Sequence, residues 1–257
     1  MIVTTEAVVL RTRKYRETSV IVTLYTKSFG KISALAKGAR DARGKFGSAL
    51  QPMNYVKAVL YKKENRELQL LSQCDLLQPL TALSDDLQKM APAMVAIELV
   101  DAIAHAEEEN QPLFGLLVTG LQCINTATKN SFQALYFFEM KLLHILGFRP
   151  DLHNCSECRT VLDEHAMSAG RKELRLSPPG LLCPACADRG LGLEPVSAGA
   201  ARILQRLQEL TEIDAATRIS MTPKVKHEVS SALRTYLEIH VDGLRRLKAD
   251  AVFSAIM

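Results

Sequence analysis

The sequence predicts an α+β protein in two parts. A small five-stranded β-barrel comes first, followed by an all-α region with an inserted four-cysteine zinc module. Three observations carry this. The first 80 residues break into short runs rich in Val, Leu, Ile, Thr and Tyr, separated by polar or Gly-bearing turns. From Ser84 onward the apolar residues recur at steps of three and four, the helical period. Cys155-Ser-Glu-Cys158 and Cys183-Pro-Ala-Cys186 are separated by 24 residues, an arrangement that offers four thiolates to one tetrahedral ion.

The five strand runs are Val3 to Leu10, Ser19 to Tyr25, Lys31 to Lys37, Asn54 to Tyr61 and Leu68 to Asp75. In the second, Ile21, Thr23 and Tyr25 alternate with Val20, Val22 and Leu24, so both faces are apolar and the strand is central. Five strands in so short a span suit a small closed barrel, with the OB-fold as first candidate and an SH3-like barrel as the alternative. The first domain boundary falls near Gln78-Pro79. This gives a barrel over residues 1–79 and a helical domain over 80–257, with the zinc module at about 151–190.

Helix signals follow in order. Ser84 is a candidate N-cap, with Asp85 and Asp86 where the helix dipole favours acids. Leu87, Met90, Met94, Ile97 and Val100 then mark one face. Pro112 opens a second helix to about Thr126, and Ser131 opens a third with Leu135, Phe138, Leu142 and Ile145 inward. Gly147 and Pro150 end it. Beyond the cysteines, Ser197 begins a helix carrying Ile203, Leu204, Leu207 and Leu210. The last helix carries Val225, Val229, Leu233, Leu237, Val241 and Leu244.

Between the knuckles, Gly170, Pro178, Pro179 and Gly180 let the chain double back. Cys155, Cys158, Cys183 and Cys186 are therefore the expected ligands of one structural Zn2+. Four sulfur ligands leave no open position for water, so no catalytic zinc is implied. A pair of disulfides is the alternative. It is disfavoured because nothing at the N-terminus reads as a signal peptide and a reducing cytoplasm is the default. His153, two residues before Cys155, is read as a bystander, and Cys74 and Cys123 as small buried residues.

The chain of 257 residues has a formal net charge of +4, but the charge is unevenly placed. Residues 1–80 hold 14 Lys+Arg against 6 Asp+Glu, and the remainder holds 18 against 22. Positive charge concentrated on a small barrel suggests a polyanionic partner. No apolar run approaches the roughly 18 residues needed to span a bilayer, so no membrane partner is expected.

Two basic loops focus that charge. Arg11, Arg13, Lys14 and Arg16 fall between the first two strands, beside Tyr15. Lys37, Arg40, Arg43 and Lys45 fall between the third and fourth, where Gly38, Gly44 and Gly47 let the backbone approach a phosphate chain. Phe46, flanked by Gly44, Lys45 and Gly47, is the candidate for stacking on an unpaired base. Tyr25 and Phe29 read better as barrel core. Lys62, Lys63 and Arg66 form a tip that extends the basic track.

Enzyme signatures are absent from the sequence: there is no phosphate-cradling Gly-x-x-x-x-Gly-Lys-Ser/Thr, no Gly-x-Gly-x-x-Gly and no Gly-x-Ser-x-Gly. His105 beside Glu107, Glu108 and Glu109 reads as a solvated helix end. The expectation is a protein that is not an enzyme and takes no small-molecule substrate.

Lys37-Gly-Ala-Arg40, Leu50-Gln-Pro52, and the run from Phe138 through Gly147 to Pro150 ahead of the first knuckle resemble the RecO family of bacterial recombination mediators. Leu233-Arg-Thr-Tyr-Leu with Leu247-Lys248 is similar to the end of that family. The resemblance covers the whole chain in order. It implies an N-terminal OB-fold, an all-helical second domain and a zinc module that only some members keep. It also implies a role in DNA repair and homologous recombination in the bacterial cytoplasm, at the nucleoid. Such a protein binds single- and double-stranded DNA and anneals complementary strands. With RecR, and often RecF, it loads recombinase onto DNA coated by single-strand-binding protein (SSB). The resemblance further implies that the helical domain binds the acidic, apolar-ended tail of that coating protein. The candidate surface is the helix from Phe132 to Leu146, with Lys141 and Arg149. The competing reading is a zinc-ribbon transcription or translation factor carrying an OB or SH3-like barrel. It is disfavoured because such ribbons usually sit at a terminus rather than between helices.

Overall fold

The computed structural model describes residues 1–41, 44–64, 66–163, 167, 174–189, 194–241 and 244. Arg43, Gly170, Leu247 and Lys248, which the sequence reading invoked, lie outside the described residues. The chain divides into two compact units, the first taking in Met1–Thr126 and the second beginning at Ala127.

Five strands form the first part of unit one: β1 (Ile2–Tyr15), β2 (Ser19–Thr26), β3 (Gly30–Ala36), β4 (Tyr55–Tyr61) and β5 (Leu68–Gln78). They close into a barrel in the order β1-β2-β3-β5-β4, with β4 returning to β1. All neighbours are antiparallel except β3 and β5, which run parallel. This is an OB-type barrel. Its interior holds Val9, Val22, Leu24, Ile32, Val56, Leu60 and Leu71, and the connection between β3 and β4 adds Phe46, Ala49 and Leu50. Burying each larger side chain contributes roughly 1.5–3 kcal/mol.

The two-faced apolar pattern of β2 has a structural cause. Its inner residues face the barrel core. On the outer side Tyr25, 1% exposed, lies 6.1 Å centroid to centroid from Phe114. Phe114 belongs to α3 (Gln111–Thr126), which packs on α1 (Ala82–Asp85) and α2 (Leu87–Ile103).

The starts and ends of β1 and of the first long helix differ from the sequence reading for identifiable reasons. β1 continues five residues past Leu10, because the apolar β2 needs a partner along its whole length and finds one from Arg11↔Thr23 to Tyr15↔Ser19. Ser84 does not cap the long helix. A single turn forms first, and Asp86 then accepts from the Gln88 amide at 2.8 Å as the cap of α2.

In the second unit α4 (Ser131–Ile145) is buried on every side from Ser131 to Met140. Packed against it are α6 (Ala198–Glu209), α7 (Ile213–Ala216) and α8 (Pro223–His240). Ser197 caps α6 by accepting from the Ala200 amide, and Thr222 with Pro223 starts α8. That last helix ends at His240, short of the Val241 and Leu244 the periodicity suggested. Between α4 and α6 lies a three-stranded sheet in the order β7-β6-β8, made of β6 (Leu174–Ser177), β7 (Gly180–Leu182) and β8 (Glu194–Val196). The one-turn α5 (Pro184–Ala187) follows β7. Among the described residues, no helix is long and apolar enough to cross a membrane.

Candidate nucleic-acid interface and metal centre

The extension of β1 places Arg11, Arg13 and Lys14 on a strand, with Arg16 in the turn that follows. All four are exposed. Arg11 is largely engaged: its Nε lies 3.2 Å from Asp101 Oδ2 and 3.3 Å from Thr23 Oγ1. Lys31 approaches the same carboxylate at 3.5 Å. Arg16 adopts φ +54° and sits 5.4 Å from the Tyr15 ring centroid.

The second basic segment folds as a tight loop on the first. Arg40 donates from its guanidinium to the Glu17 carbonyl at 2.7 Å and the Arg16 carbonyl at 3.4 Å, and its amide donates to the Thr18 carbonyl at 2.9 Å. Lys37 and Arg40 are exposed, and Lys45 lies 5.1 Å over the Phe46 ring. The predicted role of Phe46 is corrected here. At 2% exposure it fills the barrel core, where it offers no face to a base. Its neighbouring glycines mark a loop that folds inward rather than a platform. A Cβ on Gly44 would stand 2.7 Å from the Gly38 carbonyl oxygen, so this glycine serves the loop's own closure.

Sequence reasoning undervalued one surface. Beside the β3–β5 seam runs a groove of about 380 Å3 lined by Lys37, Lys63, Arg66, Tyr61, Leu35 and Leu68, among others. Among the described residues that line it are three cations and no carboxylate. Lys63 and Arg66 are held there by Gln69, itself 3% exposed. The Gln69 side chain accepts from the Lys63 amide at 2.8 Å and donates to the carbonyls of Lys63 at 3.0 Å and Arg66 at 2.7 Å. The sequence signal was a glutamine at an inward strand position between leucines, because a buried amide needs partners. Lys62 turns away to pair with Glu107 at 3.0 Å.

The four cysteines converge. Their sulfurs all lie within 4.8 Å of one another, and Cys158 Sγ stands 3.7 Å from Cys183 Sγ. With metal–sulfur bonds near 2.3 Å, a tetrahedral edge is about 3.8 Å, so the donor set fits one ion. The knuckles come together because Asp151 pairs with Gly180: the Asp151 amide donates to the Pro179 carbonyl at 2.9 Å, and the Leu181 amide to the Asp151 carbonyl at 2.8 Å. A Cβ at Gly180 would stand 2.0 Å from that carbonyl oxygen, so only glycine admits this approach. The Cys183 amide donates to Cys155 Sγ at 3.3 Å. Hydrogen bonds from Thr160 pull the Cys158 thiol down to about 6, while burial and the neighbouring thiols push Cys186 up to about 12. His153 lies outside the group and faces Glu209 at 3.5 Å.

On the helical unit, Lys141 and Arg149 converge on Gln208. Lys141 Nζ donates to its backbone carbonyl at 3.1 Å, and Arg149 to its side-chain oxygen at 3.4 Å. Burial, then the neighbouring Arg149 cation, holds Lys141 below the usual lysine range. The cleft they share with Met140 and His144 is only about 70 Å3. The expectation that the length of this helix forms a docking surface is corrected, since its first ten residues are buried on all sides and only its C-terminal end reaches solvent.

Comparison with known proteins agrees with this architecture. Residues 1–80 match the family description "Recombination protein O N terminal" and residues 84–250 match "Recombination protein O C terminal". The chain is 32% identical to the DNA repair protein RecO of Chloroherpeton thalassium over the full length of both. It is 33% identical to that of Symbiobacterium thermophilum, across 95% of this chain and 93% of the relative. Identity to the Salinibacter ruber protein of the same name is also 33%, across 99% and 94%. An OB-type barrel, a helical unit and a four-cysteine centre, with both family descriptions matched in order, make this chain a member of the RecO family of DNA repair proteins.

Proposed function

We propose that the protein is a non-enzymatic DNA-binding mediator of repair and recombination, with residues 1–79 as its DNA-binding module. The observation that carries this reading is the tie from Arg40 to the β1–β2 turn, which joins two basic segments into one cationic surface. Phosphate contacts from such a surface give affinity without sequence preference. Single and double strands would both bind, and a surface that holds two strands without reading their bases supports annealing. Cooperation with RecR and RecF in loading recombinase onto SSB-coated DNA, in the bacterial cytoplasm, is what membership of this family suggests.

The test is DNA binding by the full chain across a salt series. If about four to six phosphates are neutralised on a single strand, the log–log slope lies near −3 to −4. A flat salt response, or a strong base preference, overturns the reading.

In the same reading, Cys155, Cys158, Cys183 and Cys186 hold one Zn2+, which contributes folding energy to the module and no chemistry to a substrate. The helical domain of residues 80–257 takes the acidic tail of SSB at Lys141 and Arg149. Two adjacent cations that repel each other gain from an anion placed between them.

A further inference from the structure

We infer that Tyr61 is a stacking platform for an unpaired base, and that the groove around it selects single strands over duplex. This rests on the reading of the barrel as a DNA-binding module and deepens it. Of the six aromatic residues in the barrel, Tyr61 alone is in the exposed class, at 44%. Tyr25 and Phe46 are buried, and Tyr15, Phe29 and Tyr55 are half-buried. Tyr61 ends β4, paired with Leu70 on one side and Ile2 on the other. The backbone beneath its ring is therefore fixed by two ladders.

Its surroundings identify the ligand. A lone exposed tyrosine on a protein surface is ordinary. Here the ring lies in a groove with half-exposed Leu68 and with Lys37, Lys63 and Arg66, and no carboxylate is among the described residues that line it. An apolar floor whose charged lining residues are cations, with Glu64 and Glu67 beside them in the chain, fits a polymer that is apolar along its base faces and anionic along its backbone. A lipid surface would meet the same charges, but a groove beside a barrel seam presents a concave strip rather than a flat patch. In β3, Lys31, Ser33 and Leu35 alternate outward. Lys31 is taken up by Asp101, so the free outer face runs from Ser33 to Lys37, about 13 Å at 3.3 Å per residue, and can follow a short stretch of backbone. In a duplex the base faces are already stacked on one another, so the ring has nothing to receive. An unpaired strand offers a π-face at every position, which makes the contact sequence-tolerant.

The chain contains no tryptophan, so Tyr61→Trp places a unique fluorophore on the platform. With the full chain, titration by oligothymidylate is expected to quench that fluorescence, and a blunt duplex of equal length to leave it nearly unchanged. Tyr61→Ala is expected to weaken oligothymidylate binding by on the order of 10- to 100-fold while duplex binding changes far less, and Tyr61→Trp to retain single-strand affinity. Equal loss on both substrates, no loss on either, or an unquenched tryptophan in a protein that still binds oligothymidylate overturns the inference and leaves DNA binding by the barrel standing. A wild-type chain that binds neither probe overturns the underlying reading instead.

Discussion

The guanidinium of Arg40 donates to the main-chain carbonyl of Glu17 at 2.7 Å, across 23 residues of sequence. Because the Arg40 amide also donates to the Thr18 carbonyl, the turn after β1 and the loop after β3 are held by both the backbone and the side chain of one residue. Arg40 therefore acts as a brace as well as a charge.

That distinction is measurable. Arg40→Lys keeps the charge but loses the rigid, planar guanidinium whose Nη1 reaches the Glu17 and Arg16 carbonyls. We expect it to weaken DNA binding by about 1 kcal/mol, typical of a lost hydrogen bond, with the salt slope unchanged. Arg40→Ala should weaken binding further and flatten the slope by about 0.7 on single strands. Wild-type affinity in Arg40→Lys would show that charge alone matters.

Gln69→Leu should separate loop position from barrel stability. The substitution fits an inward strand position but strips three hydrogen bonds from the segment carrying Lys63 and Arg66. A stability loss of about 2–3 kcal/mol is expected at roughly 1 kcal/mol per bond. Loss of DNA affinity should exceed anything attributable to unfolding. Thermal melting and DNA titration on the same sample decide it, and unchanged affinity in a folded variant refutes the positioning role.

Metal removal should act locally. Cys158→Ser or Cys186→Ser is expected to abolish stoichiometric zinc, and a chelator should do the same to the wild type. Binding at such a centre supplies on the order of 10 kcal/mol to local folding, so the segment from Cys155 to Cys186 should become protease-sensitive while the barrel remains intact. A protein purified without metal whose cysteine segment resists protease would contradict this.

Acid should weaken the barrel through Glu6. The Tyr55 hydroxyl donates to its carboxylate and Lys27 pairs with it at 3.1 Å. The Tyr55 hydrogen bond, ahead of Lys27, holds Glu6 below its ordinary value against the opposing effect of burial. The folded pKa is thus lower than the unfolded one, so the contribution is present above about 4.5 and is lost as pH falls through the depressed folded value. Glu6→Gln should flatten stability against pH in this acid range. Burial and the same carboxylate raise Tyr55 to about 12, so stability present below about pH 10 should decline as pH rises toward 12.

Lys141 and Arg149 should bind an acidic peptide ending in apolar residues, more weakly as salt rises. An apolar anchor entering this cleft of about 70 Å3 meets the Gln208 side chain, which lines it and accepts from Arg149. Gln208→Ala is expected to tighten binding of a labelled tail peptide to the full chain, and Lys141→Met with Arg149→Met to abolish it. Unchanged titration in the double variant would move the site elsewhere.

Much of this was legible in the sequence because it rests on period and spacing. The apolar residues on both faces of Val20–Tyr25 marked β2 as covered on both sides, by the barrel core and by Phe114 rather than by a central place in a sheet, and the cysteine spacing anticipated the four sulfurs that the structure brings together. What escaped was set by tertiary pairing. Arg11 to Lys14 look like a polar loop until the full length of β2 is seen to require a partner. Phe46 looks exposed among glycines and a lysine, yet the barrel interior needed its volume. Tyr61 was hidden because a strand's last residue carries no local sign of which side solvent will reach.

The parallel ladder from Ser33↔Leu68 to Ala36↔Leu71 is the shortest in the barrel, and the groove of Lys37, Lys63 and Arg66 lies along it. The ladder joins strands far apart in sequence, so the groove does not exist until the ring of strands is complete. A polynucleotide lying there touches both lips of that joint and acts as a clasp, stabilising the closed ring by an increment that grows with the logarithm of its concentration. Amide exchange at residues 68–71 should slow first when DNA is added, making the weakest joint of the empty barrel its best-guarded one in the complex.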